Sequence, residues 1–199
     1  GDGAGNIEPY SFGGTQYGYT SGGTAPGTSN VIDKFSLSSD GDATDVGNLT
    51  IDRLGPAGQY STTHGYTSGG YNPAHDLIDK FSFSSDGDAS DIGGDLTVAR
   101  YYIAGQSSTT HGYASGGHTG SASNVIDKFS FSSDGDASDV GNLTVSRYGV
   151  AGQISSTHGY TSGGREPSAT YYVTIDKFSF SSDGDATDVG DITLARATP

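Results

Sequence analysis

The chain has 199 residues, a formal net charge of −14 and no Cys, Met or Trp. The lack of cysteine excludes disulfides and thiol chemistry, and nine basic residues against 23 acidic ones leave no basic patch for nucleic-acid phosphates. No apolar run is long enough to span a membrane, and 33 glycines with 13 Tyr and 8 Phe are typical of one sheet-rich domain rather than a disordered chain.

The first nine residues read as a loop or as the remnant of a preceding repeat. Gly5-Asn6-Ile7 echoes Gly47-Asn48-Leu49, which stands near the end of a later unit. The first full unit begins at Tyr10 in degenerate form, with 11–16 in place of the later Ala-Gly-Gln-x-Ser.

The rest of the chain is one motif written four times. A Gly-Tyr pair recurs at a constant step of 47 residues, beginning at Gly18, Gly65, Gly112 and Gly159. A period of this length indicates a repeat architecture.

Each unit is predicted to form four short strands. In the fourth copy they fall at 150–155, 160–162 and 174–180, followed by a strand that carries Val189, Ile192 and Leu194 and ends at Arg196. Phe178 and Phe180 share strand parity and are expected to define the buried face. The Asp183-Gly184 step favours a hairpin, and no segment has helical periodicity.

Three features of the unit resemble the kelch repeat. The second strand ends in a di-glycine, the third strand reads Ile-Asp-Lys-Phe, and a basic residue follows the fourth strand. The di-glycines are 22–23, 69–70, 116–117 and 163–164, the Ile-Asp-Lys-Phe strands are 32–35, 78–81, 126–129 and 175–178, and the basic residues are Arg53, Arg100, Arg147 and Arg196. The kelch Trp is missing, and Val46, Ile92, Val140 and Val189 stand near its position.

The resemblance implies an all-β fold, a β-propeller of four kelch-like four-stranded blades in residues 10–199. The blades are expected at about 10–53, 54–100, 101–147 and 148–196. Four is the low end for a propeller, so the ring is expected to close by packing alone, by pairing of two chains, or with further repeats outside this chain.

The Gly-Tyr-Thr-Ser-Gly-Gly and Ser-Ser-Asp-Gly-Asp-Ala-Thr-Asp strings are similar to those of repeat proteins from marine phages and ocean metagenomes. That similarity implies a protein of the virion surface or tail.

An acidic turn recurs in every unit and has two interpretations. Closely spaced carboxylates suit calcium, but the order is not that of an EF-hand. The turn also resembles the Asp-box of sialidase-type propellers, which implies a structural hairpin whose Asp bonds local backbone N–H groups. The residues are Asp40, Asp42, Asp45, Asp86, Asp88, Asp91, Asp134, Asp136, Asp139, Asp183, Asp185 and Asp188.

The search for catalytic groups predicts no enzyme. His64, His111 and His158 repeat at one turn, where a stabilising hydrogen bond is expected, and only Glu8 and Glu166 could supply a glutamate. A catalytic site normally breaks internal symmetry, and none of the repeated Ser, His and Asp residues does so.

The loops after the di-glycines do break the symmetry, and variable loops on a rigid scaffold are where binding usually occurs. Tyr and Arg dominate binding hot spots. The candidate partner-binding residues are Arg165, Tyr171, Tyr172, Tyr71, His75 and His118.

These observations favour a non-enzymatic structural or adhesion module, displayed outside the cell or on a virion, that binds a protein or glycan through its loops. A calcium-dependent or sugar-binding lectin-like propeller is the alternative, and a glycan-acting enzyme is disfavoured. No cofactor is expected apart from calcium in that alternative. Binding to nucleic acid and insertion into membranes are not expected, and a homo-oligomer is one predicted state.

Overall fold

The computed structural model describes residues 16–197, and every regular element in that range is a β-strand. The first sheet is formed by β1 (Tyr17–Ser21), β4 (Val31–Ser36) and β5 (Thr44–Asn48), with the two-residue strands β2 (Thr24–Ala25) and β3 (Gly27–Thr28) pairing in the loop between β1 and β4. The second sheet is formed by β6 (Ala57–Tyr60), β7 (His64–Ser68), β8 (Leu77–Ser82) and β9 (Ser90–Asp95). The third sheet is formed by β10 (Ala104–Ser107), β11 (His111–Ser115), β12 (Val125–Ser130) and β13 (Ser138–Asn142). The fourth sheet is formed by β14 (Ala151–Ile154), β15 (His158–Ser162), β16 (Thr174–Ser179) and β17 (Thr187–Asp191).

The strands of each sheet are antiparallel and follow one another in chain order. In the third sheet Gly112 pairs with Phe129, and a Cβ on Gly112 would lie 2.3 Å from the Cζ atom of that ring. The same glycine and phenylalanine pair in the other three sheets. The Gly of the Gly-Tyr step is therefore required because the ring of the third strand lies over it.

The sheets form a repeated arrangement with contacts between neighbours. Strand β10 packs against β6 on one side and β14 on the other. Apolar clusters fill the spaces between sheets, with Tyr66 against Phe129 and Phe131, and Tyr113 against Phe178 and Phe180. The all-β repeat architecture predicted from the period is confirmed.

Two details differ from the sequence prediction. The fourth strand of the last unit ends at Asp191, so Ile192 and Leu194 lie beyond it, in the segment that returns to Arg196. The predicted buried face was also incomplete. In the third sheet Ile126 and Phe129 are 0% and 1% exposed although they differ in strand parity. Both faces of this strand are covered, and a register shift between Ile126 and Asp127 alters the alternation.

No hydrogen bond or ion pair joins the fourth sheet to the first among residues 16–197. The predicted first strand of the first unit, at 11–16, and the predicted loop at 1–9 lie outside the described residues, apart from Gln16. In the same part of the chain no helix has the length and apolar character needed to cross a bilayer.

Candidate functional site

The loops that differ between units lie at one edge of the repeat array. Each begins after the di-glycine that follows the second strand, and in the last three units its first residue pairs with the residue after the preceding Arg. These isolated bridges join Leu54 to Tyr71, Tyr101 to His118, and Tyr148 to Arg165. The bridges fix the base of each loop, so the side chains at these positions project from a regular backbone.

These side chains form a row of tilted and edge-on contacts, which we call the aromatic row: Tyr71, Tyr101, His118, Tyr148, Arg165 and Tyr171. The Tyr71 and Tyr101 ring centroids are 4.7 Å apart, Tyr101 lies 5.1 Å from His118, and His118 meets Tyr148 edge-on at 4.8 Å. The row thus runs across three successive units.

Arg165 continues the row. Its guanidinium carbon lies 5.0 Å from the centroid of the Tyr148 ring and 5.9 Å from that of Tyr171. A cation over an aromatic face is attracted by the ring quadrupole. Tyr71 and Tyr171, at the two ends, are 44% and 46% exposed and present ring surface to solvent.

The charge state of the row follows from burial. Burial lowers the pKa of His118, and the positive charge of Arg165 lowers it further, so the imidazole is neutral at neutral pH. Its Nδ1 accepts a hydrogen bond from the Gly120 N–H at 3.1 Å, which leaves the proton on Nε2. Burial also raises the pKa of the Tyr101 phenol. The row therefore combines aromatic rings, a neutral imidazole and one cation, Arg165.

Four of the six predicted binding residues meet in this row, namely Tyr71, His118, Arg165 and Tyr171. The side chains of His75 and Tyr172 make no ring contact among the described residues. His75 instead acts through its backbone, which bonds Gly70 and Arg100, and the Tyr172 phenol faces Glu166. Whether any of the six binds a partner stays a prediction.

Sequence reasoning missed Tyr101 and Tyr148. Both follow the repeat Arg directly, a position that was read as the start of the next unit rather than as part of a loop. The available signal was an aromatic residue after Arg100 and Arg147, where the first unit has Leu54.

The residues of the constant motif, by contrast, form contacts between neighbouring sheets. In the first three units the Lys of the third strand forms an ion pair with the first Asp of the acidic turn in the next unit. The pairs are Lys34–Asp86, Lys80–Asp134 and Lys128–Asp183, at 2.5 to 2.8 Å. These turn carboxylates are more than half exposed, and we expect each pair to contribute little stability alone.

In the last three units the Asp of the third strand binds a buried Arg from the preceding unit. Asp127 accepts hydrogen bonds from the Thr97 N–H at 3.0 Å, the Thr97 hydroxyl at 2.7 Å and the Arg100 guanidinium at 2.9 Å. Arg100 and Asp127 are both 0% exposed. Burial lowers the pKa of Arg100, and the Asp127 carboxylate opposes that shift. The equivalent ion pairs are Arg53–Asp79 and Arg147–Asp176.

The other two Asp residues of the acidic turn are also hydrogen-bonded. In the last described turn, Asp185 accepts from the Asn142 N–H at 2.9 Å and Asp188 accepts from the Gly190 N–H at 3.0 Å. The second Asp thus connects two units, and the third bonds its own local backbone. In the first turn Asp45 makes the local bond to Gly47, whereas Asp40 and Asp42 have no hydrogen bond among the described residues.

Within residues 16–197, no three His, Asp or Glu side chains are grouped so that they could hold a metal ion. The calcium alternative stays a prediction, and thermal melts with and without a chelator test it.

The three repeated histidines begin the second strands. In each, the ring Nδ1 lies 2.8 Å from the hydroxyl of the preceding threonine, and the backbone N–H donates to a serine hydroxyl three residues earlier. Burial lowers the pKa of His64 and His111. These contacts are all within one turn.

The chain matches no protein-family model, and no curated protein matches it.

Proposed function

We propose that the chain is a non-enzymatic adhesion module, a kelch-like propeller array on a virion or cell surface that binds a glycan along the aromatic row. The observation that carries this proposal is the continuous series of side-chain contacts from Tyr71 to Tyr171. It lies where the four units differ in sequence, at isolated bridges outside the strands of the four sheets.

A row of neutral rings is chemically suited to a sugar chain. The C–H face of a pyranose is apolar and slightly positive, so it packs against the negative face of an aromatic ring. Hydroxyl groups at the rim of the same sugar would bond the polar groups nearby, among them the guanidinium of Arg165. The net charge of −14 favours neutral rather than anionic glycans.

A protein partner is the second candidate, because Tyr and Arg also dominate protein hot spots. The two candidates differ in ligand, since a glycan would be bound without any protein component. Both would use the exposed rings of Tyr71 and Tyr171.

The test is a glycan array followed by titration calorimetry with the best neutral ligand. We expect Tyr71→Ala and Tyr171→Ala each to weaken binding about tenfold, since a buried aromatic anchor is typically worth more than 1 kcal/mol. The melting temperature should change little because both rings are about half exposed.

Tyr17→Ala is the matched control. Tyr17 is 42% exposed, but it begins β1, at the opposite end of the strand from the di-glycine, and should not affect binding. Equal losses in all three variants, or no neutral glycan bound on the array, would contradict the glycan proposal.

A further inference from the structure

The two ends of the array carry the halves of an interface that the chain already forms three times. Arg53, Arg100 and Arg147 are 0% exposed because a neighbouring sheet covers them, whereas Arg196 of the fourth unit is exposed. Its expected counterpart is Asp33 of the first sheet, which is half-buried and forms no ion pair among the described residues. One end thus has the cation and the other has the carboxylate.

The other contacts of the interface are divided in the same way. Lys177 of the fourth unit and Asp40 of the first are the only members of their series without an ion pair in the described part of the chain. Thr193 is the equivalent in the fourth unit of Thr97, which donates to Asp127. No residue in the range 16–197 accepts a hydrogen bond from Thr193.

The apolar contacts are divided too. Tyr66 and Tyr113 are 3% and 2% exposed because they pack against two rings of the next unit. In the part of the chain that the structure describes, Tyr160 has no such pair of rings, and it is half-buried. At the other end Leu37, which stands where the later units have Phe83, Phe131 and Phe180, is 59% exposed.

We propose that the outer face of the fourth sheet binds the outer face of the first sheet of a second copy of this chain, head to tail. Lys177 would meet Asp40, Arg196 and Thr193 would meet Asp33, and Tyr160 would cover Phe35 and Leu37. This repeats the contacts made by Lys128, Arg147, Thr144 and Tyr113 with the fourth unit.

Charge complementarity favours a second copy of this chain as the partner of these two faces. With a net charge of −14, most surfaces of two copies repel each other. Six of the nine basic residues form the ion pairs between sheets, Arg165 lies in the aromatic row, and Lys177 and Arg196 remain on the fourth sheet. The face with these two cations complements the face with Asp33 and Asp40.

A head-to-tail interface is heterologous, so it closes into a ring if the rotation between copies permits and otherwise extends as an open array. Either product has a larger mass than one chain. The mass by light scattering should therefore rise with concentration.

The decisive experiment is site-directed cross-linking, since the described chain has no cysteine. Asp40→Cys and Lys177→Cys variants are made separately, mixed and treated with a short bismaleimide. We expect the mixture to give a heterodimer, and each variant alone to give much less dimer. A Lys80→Cys/Asp134→Cys variant, in which the parent side chains are 2.7 Å apart, is the positive control and should cross-link within one chain.

The Asp40→Cys/Lys177→Cys double variant distinguishes the two arrangements. A ladder of multimers supports the proposal, whereas a cross-linked monomer shows that one chain closes on itself and overturns it. The absence of any cross-link in the mixture also overturns it.

Asp33→Asn tests the interface without testing the fold. Because Asp33 has no ion pair within residues 16–197 of its own chain, its loss should leave the melting temperature unchanged while it weakens association at least tenfold. Glu166→Gln removes the same charge at the loop edge and should leave association unchanged. Equal association in wild type and Asp33→Asn would overturn the proposed contact.

Discussion

The interior and end sheets contain nearly the same residues and differ in burial. Phe129 of the third sheet is 1% exposed, whereas Phe35 at the same position of the first sheet is half-buried. Arg147 is 0% exposed and Arg196 is exposed. Because the local sequence is the same, the difference comes from the neighbouring sheet. A unit therefore specifies one half of each of two interfaces, and its stability depends on what supplies the other halves.

The largest expected effect is at the buried carboxylate. Asp127→Ala would leave the Arg100 guanidinium buried without its counter-charge, which should lower the free energy of unfolding by about 3–5 kcal/mol. Asp33→Ala, the same change in the first sheet, should cost less than about 0.5 kcal/mol because no cation of residues 16–197 is buried against it. Urea unfolding of both variants measures the difference.

Similar losses of unfolding free energy in Asp33→Ala and Asp127→Ala would show that Asp33 has a charged partner in solution. In that case the measurement is repeated at low protein concentration, where a contact between chains would be lost and the two variants should then differ.

A smaller effect is expected from a pair of glycines with the same backbone. Gly141 and Gly190 have φ angles of +151° and +143°, so alanine is strained at both. A Cβ at Gly141 would lie 2.3 Å from the Gly184 carbonyl oxygen of the next unit, whereas a Cβ at Gly190 meets no described atom within 4 Å. Gly141→Ala should be less stable than Gly190→Ala by about 1–3 kcal/mol because overpacking adds to the same strain.

Thermal or urea unfolding of the two alanine variants measures this difference. If Gly190→Ala were as destabilising as Gly141→Ala, backbone strain alone would account for both losses. The close packing of adjacent units at Gly141 would then contribute nothing to stability.

The smallest effect concerns acid. Burial lowers the pKa of His64 and His111, in the second and third sheets, below the ordinary value of 6.5. Between that value and the lowered one the unfolded chain binds more protons than the folded chain, so stability falls as the pH falls. Below the lowered pKa values these two residues cause no further loss.

Urea unfolding measured from pH 7.5 into the acid range should therefore show a free energy of unfolding that falls as the pH falls. The His64→Gln/His111→Gln variant should have a smaller slope. The slope should not vanish, since burial lowers the pKa of His118 as well. An unchanged slope in the double variant would assign the pH dependence to other groups.

The period predicted most of the strand order, because a motif repeated four times constrains each copy by the other three. The predicted end of the fourth strand was wrong. Val189, Ile192 and Leu194 read as one apolar strand, but only the first lies in β17. Apolar spacing does not show where a chain leaves its sheet, since the returning segment also packs apolar side chains such as Leu143.

The roles of charged residues were harder to predict. A periodic Arg looks like a surface residue until the next unit is placed over it, and only the neighbouring Asp127 explains why Arg100 is fully buried. The loop residues were found because they break the repeat. Tyr101 and Tyr148 were not, because their distance from His118 and Arg165 depends on the bridges between segments.

The pairing of Lys and Arg with the Asp residues of the following unit has a consequence for how such a chain can evolve. Each unit contains a donor face and an acceptor face of the same type, so a duplicated or deleted copy joins its new neighbours with contacts that already exist. The number of units can then change by recombination within the gene without compensating substitutions. The loop sequences are free to diverge, since the bonds between units do not involve their tips.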